Sequence, residues 1–182
     1  MWTGVERYNC LQSSCWNYFG LSISEAEAMN GLILISFALI ASAIALTGDE
    51  CLKQHQHEQD NLNMVVTFHE EAFGQHDITA VDRYIHPDYI QHNPNLADGQ
   101  QPLKDFLTAF NANKAKGEPV DIRHSAASGN LVWIHLKTTH FSGKPLALVG
   151  IFRVEDGKIV EHWDAMQEIP PLSESKNPHP SF

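Results

Sequence analysis

After Gly117 the apolar residues stop recurring every three or four positions and begin to alternate. That change of period limits the possible folds most, because side chains repeat every two residues along a strand and about every 3.6 along a helix. "PVDIRHSAA", "LVWIHLKTTHF", "LALVGIFRV" and "KIVEHWDAM" read as four strands. Ser128-Gly129-Asn130, Ser142-Gly143-Lys144-Pro145 and Glu155-Asp156-Gly157 connect them with turn chemistry. Upstream the spacing is helical. Leu62, Val65, Val66, Ala72 and Phe73 recur until Gly74 breaks the run, and Asp77 caps a second helix carrying Ile78, Val81, Tyr84 and Ile85, which Pro87 ends. Pro102 suits the first turn of a third helix with Leu103, Phe106, Leu107 and Phe110 on one face.

Helices followed by an antiparallel meander predict an α+β domain over residues 60–169. Three N-terminal helices pack on a curved, mostly antiparallel sheet, and the cone-shaped barrel so formed encloses an apolar pocket, the usual place for a ligand. The strands are apolar on both faces: Val132, Ile134 and Leu136 oppose Trp133, and Leu146 and Leu148 oppose Ala147, Val149 and Ile151. One face is expected to meet the helices and the other a second subunit, giving a homodimer. Residues 47–59 read as a linker and 170–182 as an extended tail.

The front of the chain is different material. Residues 31–46, "GLILISFALIASAIAL", carry no charge but fall short of the roughly 20 apolar residues of a membrane span. Ala41-Ser42-Ala43 and Ala43-Ile44-Ala45 offer export-cleavage patterns. A start at Met29 would make this a compact export signal; otherwise it anchors the chain to a membrane or packs as a buried core helix. With a signal or an anchor the domain is expected outside the cytoplasm. Cys51 is the only thiol after residue 46, so no internal disulfide framework is available. A formal charge of −10 with no basic cluster argues against nucleic acid as a partner.

Two stretches carry candidate chemistry. In "KIVEHWDAM", alternation places Val160, His162, Asp164 and Met166 on one side and Glu161, Trp163 and Ala165 on the other. A carboxylate on a core-facing strand has a raised pKa and makes a usable general base, whereas one at the rim is merely solvated. In "YIQHNP", His92 and Asn93 stand in an irregular loop beside Tyr89, where they could donate hydrogen bonds to an enolate or simply cap a turn. His140 and Phe152 complete the expected pocket lining. With 11 histidines, one near any site is unremarkable, and no ligand spacing points to a metal. There is no G-x-S-x-G elbow and no phosphate-cradling glycine loop.

"YIQHNPNLADG" followed by "IFRVEDGKIVEHWDAMQ" resembles the SnoaL-like polyketide cyclase family, within the nuclear-transport-factor-two-like superfold. The resemblance implies a cone-shaped, commonly dimeric domain that closes polyketide-like carbonyl substrates by an aldol reaction, without metal or organic cofactor. It makes Asp164 the general acid/base, His92 a polar pocket group, and His162 and Trp163 orienting and walling residues. Isomerase or lyase chemistry begins with the same proton abstraction, and the fold equally hosts non-catalytic modules that bind a small apolar molecule. Family members often carry Asp before Ile-Phe-Arg, where this chain has Gly150, which implies a lost polar group and opened space.

Overall fold

The computed structural model describes residues 31–112, 114–139 and 143–179, with side chains from residue 48 onward. The chain divides into two compact units, Met1–Gln56 and His57–Phe182. Helix α1 spans Gly31–His69, so the stretch read as a linker, residues 47–59, is helical. It has no proline and carries Gln54, Gln56, Gln59, Glu50 and Glu58, all good helix formers. Among the described residues no helix is long and apolar enough to cross a membrane. The expected export signal or anchor lies outside the described residues, 1–30 altogether and 31–46 in their side chains.

In the second unit α1 passes into a π-helical turn, Glu70–Gly74, followed by α2 (Ala80–Tyr84), β1 (Ile85–Gln91) and α3 (Gln100–Asn111). Four strands follow: β2 (Asp121–Ser128), β3 (Leu131–Thr139), β4 (Pro145–Glu155) and β5 (Lys158–Glu168). They form one unclosed sheet in the order β1-β5-β4-β3-β2. The meander is antiparallel, as the turn residues predict, but β1 joins β5 in parallel. Ile85 opens this strand rather than ending the helix, because Pro87 disfavours helical backbone just before it. A proline is tolerated there because β1 is an edge strand with irregular pairing between Ile85 and Ile90.

The predicted alternation holds in β3, where Val132, Ile134 and Leu136 are buried. They meet Val65 and Phe68 of α1, Val81 of α2 and Leu103 and Leu107 of α3 in one core. α1 is pinned to the β2–β3 turn by polar groups at both ends of one residue: Gly129 N–H donates to Glu58 Oε1 at 2.7 Å, and its carbonyl accepts from Asn61 Nδ2 at 3.3 Å. On β5 the alternation slips. Arg153 faces Glu161 but Val154 faces Ile159, leaving Val160 as an extra, bulged residue. Ile159, not Val160, therefore joins the core, while Val160 lines a dent with Arg153 and Ile90 on the other face.

The π-helical turn brings two backbone segments close together. Gly117 N–H donates to the Gly74 carbonyl at 2.8 Å, and a Cβ on Gly74 would stand 2.9 Å from the Glu118 carbonyl oxygen. Gly74→Ala is expected to lower unfolding free energy by about 1–3 kcal/mol, measured by urea denaturation.

Candidate functional site

β5 runs between β1 and β4, so its side chains as far as His162 have strand neighbours on both sides, and beyond them Asp164 meets the loop that follows β1. His162 lies opposite Phe152 on β4 and beside Gln91 on β1; Asp164 lies opposite Gly150. All face the helix-covered side, with Asp164 half-buried.

Backbone donors fix the polarity of this cluster. Beyond the end of β1 the chain turns at Asn93, whose Oδ1 accepts from Asn95 N–H at 2.9 Å. The Asn93 Nδ2 is therefore the end presented to Asp164, and it donates to Oδ2 at 2.8 Å. The Asn93 N–H in turn donates to Gln91 Oε1 at 2.9 Å, so that oxygen can only accept. His162 must then donate to it from Nδ1, at 3.0 Å, and its Nε2 is left as a bare lone pair. Gln91 Nε2 points the other way and donates to the Tyr89 hydroxyl at 3.0 Å. Tyr89 is buried, and burial followed by the Asp164 charge pushes its phenol above the usual range, keeping it a proton donor.

Beneath this polar row lies a ring stack. Phe152 packs on His162 with centroids 4.5 Å apart and stands edge-to-face with His69 at 5.0 Å. His69, from α1, is buried, donates from Nδ1 to the Val65 carbonyl at 2.8 Å and stacks on Phe73. Burial holds both imidazoles down at about 4, so both are neutral near pH 7. Gly150 is what lets Phe152 lie here: a Cβ at Gly150 would be 2.8 Å from the Phe152 ring and 3.5 Å from His162 Nε2. The space implied by glycine at this position is thus filled from within the chain rather than opened.

The expected site residues separate into two groups. Asp164, Asn93, Tyr89, Phe152 and His162 come together. His92 and Trp163 do not join them, because the His92 ring stacks on Trp163 at 4.8 Å and its Nε2 meets Glu161 at 2.8 Å, on the opposite face of β5. There Glu161 also accepts from Arg153 at 2.7 Å, and the His92 hydrogen bond, then Arg153, holds its carboxyl below the usual range. His140 lies outside the described residues. His69 was not among the expected site residues and Gln91 stood in the candidate stretch without a role, although each carries a readable signal. Tyr89, Gln91 and Asn93 are spaced by two, and His69 falls four residues after Val65 and three before Ala72 on one apolar stripe. Two surface cavities, about 280 and 150 Å³, are lined by other residues than Asp164. Among the described residues no group of three His, Cys, Asp or Glu is arranged to hold a metal.

The SnoaL-like domain family matches the chain over residues 65–162. The comparison with curated proteins gave no match. Among solved structures, a candidate polyketide cyclase from Acidithiobacillus ferrooxidans is 17% identical, with 59% of this chain and 87% of that one covered at a TM-score of 0.49. A candidate SnoaL-like polyketide cyclase from Jannaschia is 18% identical, with 60% and 86% covered and a TM-score of 0.49. An epoxide hydrolase of the LEH-like type from M. tuberculosis is 20% identical, with 61% and 85% covered and a TM-score of 0.49.

The buried imidazoles make the domain acid-sensitive. As pH falls below about 6.5 the unfolded chain takes up a proton at each histidine, while the folded chain resists until about 4. Stability is full above that window and is lost across it. The loss is on the order of 3 kcal/mol for His69, and smaller for His162, which lies nearer the surface. Urea midpoints should therefore drop between pH 6.5 and 4, and the drop should shrink in His69→Phe.

Proposed function

The chain belongs to the SnoaL-like domain family, and on that premise we propose that it performs cofactor-independent acid/base chemistry α to a carbonyl, with Asp164 as the base. The observation that carries the reading is the 2.8 Å hydrogen bond from Asn93 Nδ2 to Asp164 Oδ2. It occupies one carboxylate oxygen and orients the other, on a half-buried strand position flanked by uncharged partners. In the proposed reaction Asp164 takes the proton from a carbon next to a carbonyl. The electron pair moves onto the carbonyl oxygen, and the Tyr89 hydroxyl donates to the resulting enolate. Attack of the enolate carbon on a second carbonyl of the same molecule forms the ring bond, and Asp164 returns its proton to the new alkoxide.

The surroundings also favour a substrate charge. Asp164 and Asp98 both bear on Tyr89, and His162 offers only a lone pair from Nε2. A neutral or ammonium-bearing carbonyl compound suits these groups better than a carboxylate. One observation favours a second reading, a non-catalytic member of the same fold: the Phe152 ring fills the place opposite Asp164 that glycine would otherwise leave open.

NMR-monitored deuterium exchange at the α-carbon of a panel of 1,3-dicarbonyl compounds, neutral, ammonium- and carboxylate-bearing, separates the two. Exchange by the full chain should fall by about 10²–10⁴ in Asp164→Asn and by roughly 10² in Tyr89→Phe. His92→Ala, across the sheet, should leave it within roughly threefold, as distant exposed positions do. Exchange that survives Asp164→Asn unchanged sinks the assignment, and no exchange on any compound moves the weight to the non-catalytic reading.

A further inference from the structure

We propose that His124 on β2 and His135 on β3 form a two-histidine site for a divalent transition-metal ion. The two residues are direct register partners across an antiparallel pair, next to an irregularity between Ile122 and His124. Their Nδ1 atoms are 3.2 Å apart, the rings are within 10° of parallel, and the centroids are 5.5 Å apart. Since the nitrogens are so much closer than the centroids, the rings meet edge to edge through Nδ1 rather than face to face. Two imidazole nitrogens at this distance hold one proton between them, one donating and the other accepting.

A metal can take that proton's place. Two nitrogens bound tetrahedrally at the usual zinc distance of about 2.0–2.1 Å stand roughly 3.3 Å apart, close to the separation the strands already impose. Turning each ring by about 35° brings the two lone pairs from one another to a shared point at the tetrahedral angle. The donor ring gives up its Nδ1 proton and takes one at Nε2, so both rings stay neutral and no net proton is released. Imidazole pairs suit zinc, copper and nickel rather than calcium or magnesium.

Five other histidines are paired with a group that is not an imidazole. His57 meets Asn61, His69 the Val65 carbonyl, His86 the Asp88 N–H, His92 Glu161 and His162 Gln91. The pair also borders a cavity of about 150 Å³, lined further by Ser125, Ala126, Trp133 and Val149. With no third protein ligand arranged around it among the described residues, the ion keeps water in its remaining positions, open to a small ligand in that cavity.

The probes are Zn²⁺, titrated calorimetrically into the full chain at pH 7.5, and Cu²⁺, read by pulsed electron paramagnetic resonance. Zinc is expected to bind at one ion per chain, and His124→Asn and His135→Asn should each weaken it by at least about 100-fold, since one of two preorganised ligands is lost. Copper should couple to two imidazoles in the natural chain and to one in either variant. Both positions are at the surface, His124 exposed and His135 half-buried, so folding of the variants is checked by circular dichroism. Single-imidazole coupling in the natural chain, or zinc affinity that neither substitution alters, overturns the proposal.

Discussion

A side chain that is missing governs the interior of this domain. Because residue 150 has no Cβ, the Phe152 ring can lie against the strand, and two imidazoles from distant parts of the chain pack on it, one stacked and one edge-to-face. Those rings link α1, β4 and β5 in one contact, and the burial that results keeps both histidines uncharged. A side chain at position 150 would displace the ring, loosen the helix from the sheet and let water reach His162. The glycine is thus a packing requirement of this interior.

β5 divides the chemistry by face. On the helix side Asp164 is held by a neutral amide and has uncharged neighbours; on the other side Glu161 is tied to a cationic guanidinium and a histidine stacked on indole. A histidine, a tryptophan and a carboxylate stand together in sequence because the strand serves both faces at once. Only the orientation of Asn93, set by its own backbone neighbours, connects the loop after β1 to the helix-side carboxylate.

The period of apolar residues made the meander legible, and Val132, Ile134 and Leu136 face the core as alternation requires. Alternation also set His162 and Asp164 on one side of β5, but it put Val160 there with them, because no period discloses the bulge that turns Val160 to the other face. Less was legible where no period exists. His92 stands one residue from Asn93, yet it turns to the opposite face, since its ring gains a stack on Trp163 and a charged partner that no spacing reveals. The parallel pairing of β1 depends on a strand seventy residues away, and Pro87 in isolation reads as a helix stop. Phe152 filling the gap at Gly150 is a matter of rotamer and register, which a glycine in a sequence does not disclose.

The bulge at Val160 explains how one short strand satisfies two masters. Ile159 and Asp164 are five positions apart, an odd number, so an uninterrupted strand would turn one of them away from the helices. The extra residue restores parity: the strand first seals the apolar core with Ile159, then resumes in the opposite phase to offer His162 and Asp164 to the same side. Core and carboxylate are therefore set by separate halves of β5. Sequence drift that changes the packing end need not disturb the polar end, provided that the count between them stays odd and the bulge absorbs it.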